Sequence, residues 1–495
     1  MELIGEARNG RNRTIHTRQR QGGGFGTVTR RVAFSSSHSS NFALMRDFLL
    51  AIIIIASLPI GIFRPFYGAL IYAWISYMNP HLLAWSFVRT WPVAKISGIS
   101  TFIGAMVQQD TDSRPLREPE NILMIVLFLI FTLSSAFSIY PNRAWPEWFG
   151  MGKIILMALV TSTLLTDRKR LRYFFLVVGF SLGFYGVKGG LFGLATGGQE
   201  TVWGPGESII GANNALGVGL NMCLPIFWYL KVLLACFFLT IPAIMFTYSR
   251  ASALGLGAVI LAIILKGKGK VLALAILLVA GMLTISFVPE KWLHRQQTTL
   301  TYEQDTSAMS RLGEWEFCWR LALDRPLTGG GFEFYTVETY AKYFPEFLSK
   351  FGTYWNAHSI YFGMLAAHGF PGLLIFSLML ALTLVSLRGI KRAVGGREDL
   401  KWLANYSNIV QVSYIGFLVN GAFNNMEYFD LVYHWVGVTA SLKVLARQAL
   451  KEGLVEEPVL TGPMSPLAVR LGSFGGPSMR QGKILRNARQ TGNKT

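Results

Sequence analysis

The sequence predicts an all-α, polytopic helical membrane protein with about 12–13 transmembrane helices and one large loop on the outer side of the membrane. Of its residues, 52% are hydrophobic and the mean hydropathy is +0.39. Only 15% are charged, well below the ~25% of soluble proteins. Apolar runs of 16 to 22 residues recur along the chain, close to the ~20 residues with which a helix crosses a bilayer.

Thirteen apolar runs are separated by short polar connections, and a split or re-entrant segment would reduce the number to twelve. The predicted runs are 48–63, 66–85, 93–107, 120–139, 148–166, 171–195, 208–229, 231–248, 251–266, 270–287, 358–387, 403–424 and 429–446. The chain therefore divides into a transmembrane region over 45–287, a large loop over 288–357, and C-terminal transmembrane helices over 358–447.

Basic residues cluster in the connections 167–170, 266–270 and 388–397. Because such connections face the cytoplasm, the loop 288–357 is predicted on the periplasmic side. Counting helices back from there puts the N-terminus on the same outer side, although its arginines favour the inside. We therefore expect the chemistry of this protein to lie on the outer side of the membrane.

Both tails differ from the rest in composition. Residues 1–44 mix seven arginines with Gly and Ser and show no apolar periodicity, which predicts a disordered basic extension. A transit peptide and an over-extended gene start at Met45 both remain open for this segment. Residues 448–495 form a second basic, proline-containing segment and are predicted to be a disordered cytoplasmic tail.

The net charge of +19 does not indicate nucleic acid as a partner. Basic residues sit in the tails and the short connections, where membrane topology and anionic lipids account for them. Three scattered cysteines exclude a disulfide framework and a closed zinc site. The motif His-Glu-x-x-His is missing, so the sequence predicts a site with no metal and no other cofactor.

His358 begins the first strong motif, in which Gly369 and Gly372 follow at a fixed spacing. It lies where the outer loop meets an apolar run, so a neutral imidazole there is a candidate general base for an acceptor hydroxyl. Pro371 permits a bend in the helix. The alternative is a histidine at a helix boundary beside a packing pair of glycines.

Arg250 is the second candidate, because it stands between two apolar runs. An arginine in that position needs a partner or a polar cavity, and its guanidinium group suits two phosphate oxygens. The alternative is an interfacial arginine whose charge reaches water.

A helix over 310–323 in the outer loop is the third candidate region. It would place Arg311, Glu314, Trp315 and Cys318 on one face, with Arg311 and Trp315 able to bind substrate. The glycines at 329–331 would end it and let backbone amides approach an anion. The alternative is a surface helix closed by a flexible turn.

Weaker candidates for binding an anion are Lys188, Arg143 and Arg89. Lys188 is an intramembrane lysine near the outer end of its run, and snorkelling is the alternative. The two arginines lie on outer connections, where most arginines are only solvated.

At these motifs the chain resembles the O-antigen ligase and polymerase-like superfamily. The spacing after His358, the element that starts at Arg250, and the loop pattern from Ser310 to Gly329 carry the resemblance. More narrowly, the segments 63–66, 76–81 and 183–192 are similar to the O-glycosylation ligase linked to exosortase systems. The likeness covers about residues 45–450.

The resemblance implies a glycosyltransferase of the O-antigen ligase type. Its donor would be a glycan on a polyprenyl diphosphate, undecaprenyl diphosphate in this family, and its acceptor a hydroxyl of protein Ser/Thr or of a lipid. His358 and Arg250 would be catalytic, and displacement would invert the anomeric carbon. A polymerase of lipid-linked repeats and, less favoured, a transporter of the same glycans remain as alternatives.

Overall fold

The computed structural model describes residues 38–84, 86–108, 110–231, 234–267, 270 and 306–452. Within these ranges every regular element is a helix and no strand is formed. The helices of the N-terminal part are α1 (His38–Phe63), α2 (Pro65–Met78), α3 (Val93–Val107), α4 (Pro119–Ala136), α5 (Pro141–Leu164), α6 (Arg168–Ala195), α7 (Asn213–Leu230), α8 (Leu234–Met245) and α9 (Arg250–Lys266). Those that follow are α10 (Thr306–Asp324), α11 (Val337–Tyr343), α12 (Pro345–Phe351), α13 (Ile360–Ala393), α14 (Lys401–Gly421) and α15 (Asp430–Glu452).

The predicted fold class is confirmed as all-α and polytopic. Five described helices are long and apolar enough to cross a bilayer: Met45–Phe63 of α1, α4, α5, α6 and α13. Each predicted apolar run other than 270–287 coincides with a described helix, and that run lies outside the described residues except for Lys270. The predicted tails 1–44 and 448–495 also lie mostly outside them, as does the part of the outer loop before Thr306.

The helix ends differ most from the predicted apolar runs at α2 and α5. The run 66–85 ends as a helix at Met78, because Asn79 adopts a left-handed conformation and donates its amide to the Ile75 carbonyl oxygen, and Pro80 follows. Helix α5 begins seven residues before its predicted run, at Pro141, since its first turns are polar and aromatic rather than apolar. Apolar composition therefore locates these helices but does not fix where they begin and end.

Helices α4 and α5 define two ends of the bundle. We call the end that carries residues 306–357 the loop end; Ile139, between these helices, donates its amide to the Gly330 carbonyl oxygen at 2.9 Å. At the opposite end, Asp112 donates its amide to the Thr163 carbonyl oxygen at 2.8 Å. Helices α3, α5, α7, α9, α13 and α15 therefore start at the loop end.

The start of α1 also lies at the loop end. The amide of Ser86, in the connection between α2 and α3, donates to Asp47 Oδ2 at 2.7 Å. Counting helices along the sequence puts the beginning of the membrane region on the same side as the large loop. The contact between Ser86 and Asp47 agrees with that count.

Helix α13 is interrupted in the middle. Gly369 has φ 66° and ψ −170°, outside the helical region, and Pro371 has no N–H to donate to the preceding turn. The amide of Phe370 donates instead to the Pro326 carbonyl oxygen at 2.8 Å. Two carbonyl groups one turn earlier in α13 thereby lose their helical partners.

The glycine-rich turn after α10 supplies the missing donors. The amide of Gly330 donates to Ala366 at 2.8 Å and that of Gly331 to Ala367 at 2.9 Å. The prediction that this turn approaches an anion is therefore wrong for these two amides, because the kinked helix uses them. The turn ties the loop to the membrane helices behind the His358 motif.

Replacing Gly369 with alanine is expected to destabilise the protein by on the order of 2–3 kcal/mol. The new methyl would collide with the Pro326 carbonyl oxygen, and the left-handed φ disfavours a side chain. The matched control is Gly389→Ala in the same helix, where no atom lies within 4 Å of the added methyl. Thermal unfolding in detergent should show a lower midpoint for Gly369→Ala only; equal midpoints would contradict the role given to the kink.

Candidate functional site

Helix α10 brings a carboxylate to His358. The imidazole Nδ1 lies 2.8 Å from Glu314 Oε2. The Glu314 side chain is only 1% exposed, whereas that of His358 is 30% exposed. The carboxylate is thus sealed behind the ring, and the ring is open to the surroundings at the loop end.

This contact determines which imidazole nitrogen can act as a base. A buried carboxylate accepts a hydrogen bond from Nδ1–H, which leaves the lone pair on Nε2. Among the described residues, Nε2 has no hydrogen-bond partner. The pair can therefore accept a proton from a hydroxyl group that approaches the exposed edge of the ring.

Trp315 and the backbone hold His358 in place. The indole N–H of Trp315 donates to the Ala357 carbonyl oxygen at 2.9 Å, and its ring stacks on Phe362 at 5.1 Å between centroids. His358 has φ 45°, a left-handed conformation that costs a residue with a side chain about 1 kcal/mol. Trp315 of α10 contacts the chain on both sides of this turn, at Ala357 and Phe362. These packing contacts offset the conformational cost at His358.

Arg311 lies one turn before Glu314 on the same helix. Residues three positions apart on a helix are neighbours on its surface, so Arg311 and Glu314 share one face of α10. It is half-buried, as is Trp315. The helix predicted over 310–323 is present, and its shared face is the one that meets His358.

Arg250 starts α9 at the loop end. Ser249 caps this helix by accepting the Ser252 amide at 3.2 Å. Arg250 is half-buried there. Arg250 therefore lies at the N-terminal end of α9, where the positive end of the helix dipole favours an anion.

The C-terminal end of α14 links Arg250 to His358. On one side, Gly255 of α9 packs on Asn420, close enough that an added Cβ would lie 3.1 Å from its side chain. On the other side, Gly421 packs on Ile360, two residues after His358, and an added Cβ there would lie 2.9 Å from that side chain. Arg250 and His358 therefore flank one helix end and lie at the same end of the bundle.

Buried amides occupy the wall between these two residues. Asn221 donates to the Ser252 carbonyl oxygen at 2.9 Å, and Asn424 donates to Asn420 Oδ1 at 2.6 Å. Asn221 Oδ1, Asn420 Nδ2 and Asn424 Oδ1 are buried and have no partner in the described chain. Unsatisfied polar atoms of this kind are concentrated at functional sites and water positions.

Lys188 and Arg89 belong to a neighbouring region around the connection 196–212. Lys188 lines a cavity of about 290 Å³ with Tyr185 and Trp203. Arg89 forms an ion pair with Glu207 at 2.9 Å, and both side chains are exposed. This connection is held to α8 by the Val202 amide, so the region adjoins the start of α9, but no described contact joins it to His358.

Arg143 lies elsewhere on the loop end. It stacks on the Tyr140 ring at 5.0 Å, and the Tyr140 hydroxyl lies 3.0 Å from Thr336 Oγ1. Its charge acts on Glu338, whose pKa it helps to lower after hydrogen bonds from that residue's own backbone and from Thr336. Arg143 therefore braces the α4–α5 corner against the loop and is not brought to the histidine.

A second buried carboxylate, Glu427, lies behind the same helices in the connection between α14 and α15. Burial raises the pKa of its side chain to about 8. The Glu427 carboxylate packs against Gly363 of α13, where an added Cβ would collide with it. Its Oε2 atom has no partner in the described chain. The group is therefore largely protonated at neutral pH.

Glu427 is expected to make stability fall as pH rises. Its unfolded pKa is near 4.5 and its folded pKa near 8, so the folded state holds an extra proton between these values. In that window the slope approaches about 1.4 kcal/mol per pH unit for one group. Apparent melting temperatures from pH 4.5 to 8.5 should decline less in Glu427→Gln than in the wild type, with the exposed Glu200→Gln as the control; equal slopes in all three would contradict this.

Comparison with known proteins divides the chain into two matched regions. Residues 235–377 match the family described as O-Antigen ligase, a segment that contains Arg250, Arg311 and His358. Residues 45–223 match a family of unknown function (DUF5935). No curated protein matches the chain.

The helical fold and the partial match together support one class of protein. The chain is a multi-pass membrane protein, and the match over residues 235–377 supports the O-antigen ligase and polymerase superfamily. Members of that family are glycosyltransferase-like enzymes, and the family implies lipid-linked glycan donors.

Proposed function

We propose that this protein is a membrane glycan ligase that transfers an oligo- or polysaccharide from a polyprenyl-diphosphate carrier to an acceptor hydroxyl. The contact between His358 Nδ1 and Glu314 Oε2 is the observation that supports this best. It combines an exposed imidazole with a sealed carboxylate inside the segment that matches an O-antigen ligase. Such a pair is what abstraction of a hydroxyl proton requires.

The reaction is a single displacement at the anomeric carbon. The acceptor oxygen forms a bond to that carbon while the bond to the diphosphate oxygen breaks, and the acceptor proton passes to His358 Nε2. Attack opposite the leaving group inverts the anomeric carbon. The carrier leaves as a polyprenyl diphosphate, whose extra negative charge must be stabilised as it forms.

Arg250 and Arg311 are proposed to hold the diphosphate. Each guanidinium group can bind two phosphate oxygens at once. The first turns of α9 and α13 begin at the loop end, so their free backbone N–H groups and dipoles favour an anion there. Lys188, in its neighbouring cavity, is proposed to bind a more distant part of the donor.

Aromatic residues of the loop are proposed to cover the sugar. Phe351, Tyr354 and Trp355 precede His358, and Tyr354 is 38% exposed. Rings of this type stack on sugar faces and exclude water, which would otherwise hydrolyse the donor. A protein Ser/Thr hydroxyl is the proposed acceptor, as in the exosortase-linked O-glycosylation ligases that parts of the sequence resemble.

The loop end is proposed to face the periplasm of a bacterial inner membrane. The connections at the opposite end are rich in basic residues, a pattern typical of the cytoplasmic side. These residues are Arg114, Arg117, Arg168, Lys169, Arg170, Arg388, Lys391, Arg392 and Arg397.

The test is reconstitution of the purified protein with a lipid-linked donor and candidate acceptors, followed by mass spectrometry of all products. A ligase joins the glycan to the acceptor and releases the carrier diphosphate. Products in which repeats accumulate on the carrier would instead identify a polymerase. Unchanged donor in the presence of peptide, protein and lipid acceptors would contradict both.

A further inference from the structure

A cavity of about 350 Å³ opens between α2, α3 and α5, separate from the His358 site. Its polar lining comes from Ser76, Lys95, Lys153 and Asp430. The remaining surface is almost entirely apolar, and Gly98 keeps α3 close to Tyr72 and Met157 at its floor. The cavity therefore combines two ammonium groups with a hydrocarbon-like wall.

The two lysines are the cationic groups of this cavity. Within the described ranges, neither Lys95 nor Lys153 makes a hydrogen bond or an ion pair, and both are exposed to the cavity side of the bundle. Lys153 stands twelve residues into α5, about 18 Å along the helix from its start at the loop end. Because the apolar run of α5 begins at residue 148, Lys153 lies five residues inside it, where a charged lysine needs an anion, a polar cavity or a route to the polar surface.

The charges in the cavity determine the ligand's charge. The Ser76 hydroxyl donates to the carboxylate of Asp430, which is 7% exposed and forms part of the wall. Glu147 also acts on Lys153 but does not line the cavity. The lining itself holds two ammonium groups and one carboxylate, and this excess of positive charge favours an anionic phosphate group as ligand.

The apolar wall continues from each lysine in the same direction. Ile99 and Phe102 follow Lys95 at positions i+4 and i+7 of α3, on one face of the helix. Leu156 follows Lys153 at i+3 of α5. Ile99 and Leu156 are 61% and 39% exposed on the outer flank of the bundle, so a chain attached to the phosphate can run along them into the membrane.

We infer that this cavity binds an anionic glycerophospholipid, with its phosphodiester between Lys95 and Lys153 and one acyl chain along α3. The site lies in the part of the chain that matches a family of unknown function, whereas the O-antigen ligase match begins at residue 235. It does not depend on the reaction at His358, so it can be tested without a glycan donor.

The site can be tested by native mass spectrometry of the detergent-purified protein. The protein is titrated with phosphatidylglycerol or with phosphatidylcholine that has the same acyl chains. We expect phosphatidylglycerol to bind more tightly, and the double variant Lys95→Gln/Lys153→Gln to lose about tenfold or more of that affinity. Lys95→Arg/Lys153→Arg should retain it, as should the control Lys342→Gln/Lys350→Gln on α11 and α12. Melting temperatures identify variants that fail to fold.

Three results would overturn the inference. The first is equal binding of the two phospholipids by the wild type, and the second is unchanged phosphatidylglycerol affinity in the folded double glutamine variant. The third is polyprenyl phosphate that binds tenfold more tightly than phosphatidylglycerol and depends on the same lysines, because the site would then belong to a lipid carrier.

Discussion

His358→Asn is expected to reduce glycan transfer by about two to four orders of magnitude while the protein still inserts and accumulates. The proposed role of His358 is to accept the acceptor's proton at Nε2, and asparagine cannot do so near neutral pH. Asparagine is preferred over alanine for this test because it tolerates the left-handed backbone found at position 358. Loss of activity in this variant therefore reports on the imidazole rather than on the turn.

The measurement is the initial rate of acceptor glycosylation by purified protein at saturating donor. Arg320→Gln provides a control on α10, since Arg320 pairs with Glu316 and stacks on Phe344 at the surface. That control should keep the wild-type rate. Transfer by His358→Asn within a few-fold of the wild type would remove the general base from the mechanism.

Arg250→Lys is expected to lower transfer by about two to three orders of magnitude, although the charge is preserved. A lysine offers a compact ammonium group and cannot bind two phosphate oxygens in one plane. If Arg250 stabilises the leaving diphosphate, the variant loses an interaction that strengthens as the bond breaks. The maximal rate should then fall more than donor binding weakens.

Rates measured over a range of donor concentrations separate these effects. Arg320→Lys is the matched control for an arginine-to-lysine change at the loop end. A variant Arg250→Lys with a normal maximal rate and only weaker donor binding would make Arg250 a binding residue and not a catalytic one. Normal values of both would remove it from the site.

The helices could be predicted because each buries a long apolar run, which the sequence shows directly. The bend in α13 was also foreseen from Pro371 and its flanking glycines. The sequence does not show which amides donate to the carbonyl groups that lose their helical partners at the bend. Their partners, Gly330 and Gly331, are more than 30 residues away, and nothing local in the sequence identifies them.

The sequence supplies a different reason for each candidate site residue. His358 lies at a helix boundary, Arg250 stands between two apolar runs where an unpaired charge is costly, and Arg311 shares a helix face with Trp315. The same helix face carries Glu314, but its role cannot be predicted from the sequence, because its partner His358 lies 44 residues later and only tertiary packing brings the two together. Glu427 was missed because its unusual pKa comes from burial, which a polar connection does not reveal.

Trp315 illustrates the same limit. The sequence favoured it as a substrate-binding residue because it lies beside Arg311 in an aromatic loop. In the structure the indole N–H of Trp315 donates to the Ala357 carbonyl oxygen, and one face of its ring stacks on Phe362. The side chain is half-buried, so only its exposed part can contact a substrate. A residue type suggests what a side chain can bind, whereas the fold decides which partner reaches it first.

The most direct measurement is the transfer rate of Glu314→Gln, His358→Asn and the variant carrying both changes. If the carboxylate acts only through the imidazole, Glu314→Gln alone lowers the rate, and adding it to His358→Asn lowers the rate no further. Independent, multiplying losses in the double variant would mean that the two residues do not work as one unit, and the proposed catalytic pair would be wrong.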